Sequence, residues 1–211
     1  MAFDYKKEYK EFYLPPKQPE IVTIPSMNFV AVRGKGNPNE ECGEYQHAIQ
    51  LLYGIAFTLK MSYKGNYHIK GFFEYVVPPL EGFWWQEGVE GVDYSDKSTF
   101  EWIAIIRIPE FITVNDLKWA KIEAGKKKKM DFSQVEFYSY HEGSCVQCMH
   151  IGPYDEEPAT IERMHEYVKK QGYEIEITNT RFHHEIYLSD PRKCSPQKQK
   201  TVIRHPVRKV D

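Results

Sequence analysis

Residues 134–172 read QVEFYSYHEGSCVQCMHIGPYDEEPATIERMHEYVKKQG, and one change of hydrophobic period inside them decides the fold. Up to Ile151, β-branched and aromatic residues recur at short intervals, the pattern of a long strand region, with Glu142-Gly143 a place where it can fold into a hairpin. Gly152-Pro153-Tyr154 makes a turn. Asp155 then caps a helix in which Ile161, Met164, Tyr167 and Val168 recur at helical steps, and Gly172 stands just past its end. Residues 173–177 and 182–188 return to strand, the latter stopping at Asp190-Pro191, and residues 200–207 close with another strand. The order is β-α-β-β.

Working outward, the first half has the same order. Residues 21–34 (IVTIPSMNFVAVRG) read as strand. Tyr45, Ala48, Ile49, Leu52, Ile55, Ala56 and Leu59 then mark one face of a long helix. Residues 67–77 read as strand up to Pro78-Pro79, and residues 100–108 as strand up to Pro109. Asn115 can cap a shorter helix over residues 116–124, ended by Gly125. Three short matches fall in the same order in both halves: Val32-Arg33-Gly34 with Ile151-Gly152-Pro153, residues 73–79 with 184–191, and Ile106-Arg107-Ile108-Pro109 with Ile203-Arg204-His205-Pro206. The expected class is α+β, two repeated β-α-β-β units with pseudo-two-fold symmetry around an aromatic-lined pocket. Residues 1–18 read as an extended N-terminal arm, and residues 19–211 as one domain whose halves run about 19–125 and 130–211.

Composition narrows the function. Apolar residues make up 41% and charged residues 27%, proportions of a folded globular chain. The net charge of −2, with acids and bases interspersed, offers no attraction to nucleic acid. Lys126 to Lys129 read as a solvated connector. No apolar stretch approaches the ~20 residues of a membrane span. Four Cys do not make a disulfide framework, and the expectation is a cytoplasmic monomer or weak homodimer. Cys145-Val-Gln-Cys148 has metal spacing, but on a strand its two thiols face opposite ways, so neither metal nor cofactor is expected. The aromatic fraction of 15% supplies rings for a core and for a pocket holding flat ligands.

The segments His150-Ile151-Gly152-Pro153-Tyr154, Glu185-Ile186-Tyr187-Leu188-Ser189-Asp190-Pro191 and the terminal residues 200–207 together resemble the GyrI-like family. Tyr75-Val76-Val77-Pro78-Pro79-Leu80-Glu81-Gly82-Phe83-Trp84-Trp85 resembles a free-standing subgroup of it, and the likeness runs through nearly the whole chain after Lys17. The resemblance implies a pocket for aromatic or cationic hydrophobic small molecules with the carboxylate of the Glu-Ile-Tyr strand at its floor. Some members are implied to hydrolyse cyclopropanoid genotoxins; others bind drugs or effectors, or inhibit DNA gyrase. Regulator members carry a helix-turn-helix ahead of this domain, where this chain has a short arm.

Glu185 is the first candidate. Strand alternation puts it on one face with Tyr187, while Ile186 and Leu188 take the other. A carboxylate among rings is expected to hold its proton tightly unless a charge partner is near. It suits a general base or a cation receptor. Tyr154, at the turn before the helix, and Tyr140, in the strand before it, are alternative hydroxyl donors to a ligand carbonyl. Trp84 and Trp85 are expected to stack on the ligand. His183 shares the Glu185 face and His184 does not, and Glu74, the repeat partner of Glu185, is a further ligand-binding candidate.

Overall fold

The computed structural model describes residues 2–89, 93 and 95–210. Its strands are β1 (Glu20–Lys35), β2 (Leu80–Trp85), β3 (Glu101–Arg107), β4 (Glu136–Ile151), β5 (Tyr173–Ile175), β6 (His183–Tyr187) and β7 (Lys200–Lys209). The order is β4-β1-β3-β2-β6-β7, all antiparallel, and β7 pairs again with β4. Six strands therefore close into a barrel, which leaves these strands no long free edge. The short β5 is added on β7. The helices are α1 (Tyr5–Glu8), α2 (Lys10–Tyr13), α3 (Glu44–Lys60), α4 (Val114–Lys128) and α5 (Glu157–Lys170). The mixed content is that of an α+β fold.

Alternation on the strands divides the core between the inside and the outside of the barrel. Ile103 and Ile105 point in, toward Phe29 and Phe83. Trp102, Ala104 and Ile106 point out, beneath Leu51, Leu52, Ile55 and Leu59 of α3 and Leu117, Ala120 and Ala124 of α4. On the far side, Met164 and Val168 of α5 cover Val146, Cys148, Ile203 and Val207. Each fully buried aliphatic chain contributes about 1.5–3 kcal/mol, so these two faces hold the helices against the barrel. The inside is filled; the cavity left there is about 10 Å³.

The stretch expected to be an extended arm forms α1 and α2 instead. Tyr13 and Tyr5 are buried, and the rings of Tyr5 and Tyr9 lie 4.6 and 4.8 Å from the guanidinium of Arg107. Arg204 and Gln147 donate to the Phe12 and Glu11 carbonyls at 2.7 and 2.6 Å. The arm plugs the barrel because buried guanidinium and amide donors must be satisfied.

Residues 67–77 are not a strand; Tyr75 makes only an isolated bridge with Phe3. Tyr75 buries against the arm, Tyr67 stacks on Trp119 of α4, and pairing begins at β2, after Pro78-Pro79 has passed. β4 is one strand rather than a hairpin: Gly143 takes up φ 72° while the register with β1 continues on both sides. Thr113, not Asn115, caps α4, in a reciprocal pair with Asp116. That helix runs on to Lys128, so the lysine run forms its last turn, where cations complement the helix dipole. A 3-10 turn, Tyr154–Glu156, precedes α5, and Asp155 does not cap it.

Candidate functional site

β2 and β6 pair with Gly82 opposite Glu185 and Trp84 opposite His183, so these side chains share the outer face of the barrel. A Cβ at Gly82 would stand 2.7 Å from the Trp84 indole nitrogen and 3.1 Å from the Tyr187 hydroxyl. Glycine is needed there for the Trp84 N–H to donate to Tyr187 Oη, at 2.9 Å. Tyr45 of α3 packs on Trp84 with ring centroids 5.0 Å apart, and Tyr154 meets Tyr187 edge-on at 5.9 Å. From α5, Glu157 reaches in, its carboxylate, that of Glu185 and the His183 ring lying with ligand atoms within 4.8 Å of one another.

Glu185 is 7% exposed. Burial alone would raise its pKa, but the hydrogen bond and charge of His183, together with hydrogen bonds from Tyr187 and Glu157, outweigh it and hold the carboxyl below its usual range. The tightly held proton expected from the sequence is thus replaced by an ionised carboxylate, because the charge partner is present. His183 Nε2 and Glu185 Oε1 are 2.8 Å apart. Tyr154 is pushed up to about 12 by burial and then by the Glu185 charge, which keeps its phenol protonated and able to donate. Burial and the same carboxylate raise Tyr187 well above the ordinary phenol.

The structure brings together Glu185, Tyr154, Tyr187, Trp84 and His183 from the sequence candidates. Three others stand apart. Tyr140 lies on the inward side of β4, packed on Phe83 at 4.9 Å, with its hydroxyl donating to the Thr180 carbonyl. Trp85 diverges from its neighbour, as adjacent strand residues must, and packs on Phe182 within the inner cluster. Glu74 is exposed on the segment bridged to the arm, away from the buried cluster. The sequence reading missed Glu157, Tyr45 and Gly82. A glutamate directly before Pro158 in the first helical turn was the one available signal for Glu157, and it is fully buried. Cys145 and Cys148 divide between the inner cluster and the α5 face, and both are free thiols.

A closed barrel flanked by helices, with a buried acid among rings on its outer face, defines a small-molecule-binding class of protein. The chain belongs to the GyrI-like small molecule binding domain family, whose model matches residues 17–208. An uncharacterized conserved protein from Listeria innocua is 48% identical, with a TM-score of 0.93 over 98% of this chain and 100% of that one. Two hydrolases from Listeria innocua are similar at 47% identity (TM-score 0.91, 99% and 100% covered) and 45% identity (TM-score 0.90, 98% and 100% covered). Among curated proteins no match is found. No helix among the described residues is long and apolar enough to cross a membrane.

Proposed function

We propose that the chain binds flat hydrophobic small molecules over Trp84 and Tyr187 and hydrolyses cyclopropanoid genotoxins, with Glu185 activating water. The observation that carries this reading is the ionised Glu185 carboxylate buried at the junction of Tyr45, Trp84, Tyr154 and Tyr187. Two relatives named as hydrolases, at 45% and 47% identity, support the reaction class.

The chemistry follows from the residues. Glu185 takes a proton from water as the water oxygen bonds to the cyclopropane methylene. The ring's C–C bond breaks, and its electron pair moves through the dienone to leave a phenolate. The protonated Tyr154 hydroxyl donates to that oxygen, stabilising charge that appears only as the bond breaks. Proton return from Glu185 to the phenolate completes a net addition of water.

The test is incubation of the purified protein with a cyclopropanoid alkylator, following products by mass. Ring-opened hydrate above the buffer control is expected; none above that control sinks the hydrolase reading. A receptor without turnover is the second reading, favoured by the Trp84, Tyr45, Tyr154 and Tyr187 rings around the Glu185 carboxylate, which suit a hydrophobic cation. An aromatic or cationic ligand, a cytoplasmic location and a monomeric or weakly dimeric state belong to the same proposal. So does the reading of the two halves as copies of one unit, which is supported by the strand orders β1-β3-β2 and β4-β7-β6.

A further inference from the structure

Behind Glu185 runs a row of histidines from three separate elements. His183 Nδ1 lies 2.6 Å from His205 Nε2, and His205 Nδ1 lies 3.0 Å from His165 Nε2. With the 2.8 Å contact of His183 Nε2 to Glu185 Oε1, the three rings form one continuous line from the carboxylate to α5. His183 and His205 are buried at 1% and 2% exposure, whereas His165 is partly exposed on α5. Every contact joins an Nε2 to an acceptor on the next group, so a proton on each Nε2 makes every contact a hydrogen bond donated toward Glu185.

We infer that His183, His205 and His165 are positioning residues for Glu185, holding its carboxylate ionised and aimed, and carrying a solvent proton to it from the α5 surface. This rests on the reading of Glu185 as the base. Each contact holds one proton, so the row has two settings. In the first, Glu185 is anionic and the rings carry protons on Nε2. A proton added at His165 Nδ1 lets each Nε2–H pass one step inward, leaving Glu185 protonated and all three rings protonated on Nδ1. The charge balances, no ring rotates, and the reverse passage returns the proton to solvent. The second setting has no base, so acid stops catalysis through α5 rather than through the ligand pocket.

The groups facing these atoms agree. Glu157 from α5 and Tyr187 from β6 meet Glu185, and Tyr154 and Tyr45 feel its charge from the turn before α5 and from α3. His205 is held well below the ordinary imidazole value first by its burial and then by His183 and His165, beside which a further positive charge would be repelled, so it stays neutral between them.

The experiment follows the Glu185 carboxyl carbon and the imidazole nitrogens by NMR across pH, alongside the pH profile of kcat for a cyclopropanoid substrate. His183→Phe removes the donor at Glu185, so the Glu185 titration and the acid limb are expected to move up by about one pH unit or more, the worth of a hydrogen bond to a charged group. His165→Phe leaves the inward setting ending in an unpartnered buried N–H on His205, so both are expected to move down. His183→Gln, which keeps a donor, is expected to recover most of the His183→Phe loss. Unchanged titration in both phenylalanine variants, or a wild-type His183 carrying its proton on Nδ1 beside an ionised Glu185, overturns the relay. His165 is partly exposed, so its variant stands if the His183 variants fail to fold. The NMR arms need no substrate: titration shifts without hydrolysis sustain the relay and reject the hydrolase, and hydrolysis without shifts does the reverse.

Discussion

β6 carries two acid–histidine clusters on its opposite faces, and they are built differently. Inward, His184 stands between two carboxylates, 3.0 Å from Glu142 Oε1 and 3.0 Å from Glu81 Oε2, and Arg204 donates to Glu142 at 2.9 Å and to Gln147. Tyr13 of the arm closes it by donating to Glu81. Two acids meet a guanidinium and an imidazole, and the cluster is charge-matched within the protein. Outward, Glu185 and Glu157 meet His183, and burial, His183, Tyr187 and Glu157 are the main influences on the Glu185 carboxylate. The same residue types at adjacent positions thus do two jobs. Matched buried charges lock the arm into the barrel, whereas an acid held chiefly by a histidine, whose own charge depends on a proton, stays responsive to a ligand or to pH.

The largest expected effect breaks the inner cluster. Arg204→Met leaves Glu142 buried without its guanidinium and should cost about 3–5 kcal/mol in urea unfolding. A change under about 1 kcal/mol would mean that the arm and barrel are not joined through this pair. Glu185→Gln attacks the outer cluster with the opposite signature. Hydrolysis should fall by roughly 100-fold or more, the worth of a positioned base, while the unfolding midpoint stays close to that of the wild type; an unaltered rate would reduce Glu185 to a wall of the pocket.

Tyr154→Phe and Tyr140→Phe sharpen the boundary between the two faces. The first should slow hydrolysis about 10-fold, the equivalent of one hydrogen bond, and the second should leave kcat alone, since Tyr140 donates to Thr180 on the inner side. Equal losses in both variants would contradict this division. The smallest effect is in stability against pH. Although burial lowers His184, the charges and hydrogen bonds of Glu142 and then Glu81 raise it overall, so its contribution is full below the unfolded value of ~6.5 and lost as pH rises through the folded one. Glu142, which burial would raise, is held at about 2 by His184 and Arg204, so its contribution is lost only as pH falls toward that value. Urea midpoints should therefore decline above neutral pH in wild type and less so in His184→Gln.

Much of this molecule was legible locally. The three- and four-residue steps of α3 and α5, and the alternation that puts His183, Glu185 and Tyr187 on one face of β6, follow from backbone periods that any window of sequence reports. Trp84 and Trp85, both expected on the ligand, diverge under the same rule because they are neighbours on β2. Tyr140 failed for another reason. Inward residues on β4 pass from Tyr138, Tyr140 and Glu142 to Cys145 and Gln147, a change of parity around Gly143 that alternation cannot foresee.

The sequence by itself determined α3, α5 and the longer strands, the mixed class, the family likeness and the face that Glu185 shares with Tyr187, because each depends on neighbours within a few residues. Only the tertiary structure decided the closure of β4 on β7, the arm as a plug, and the company Glu185 keeps. Glu157, His205 and His165 lie 28, 20 and 20 residues away from it, on elements that converge only when the strand order is set. Whether a buried carboxylate is protonated or ionised depends on that convergence, since the ionised form is stabilised by donors within a few ångströms and the chain records no such distance.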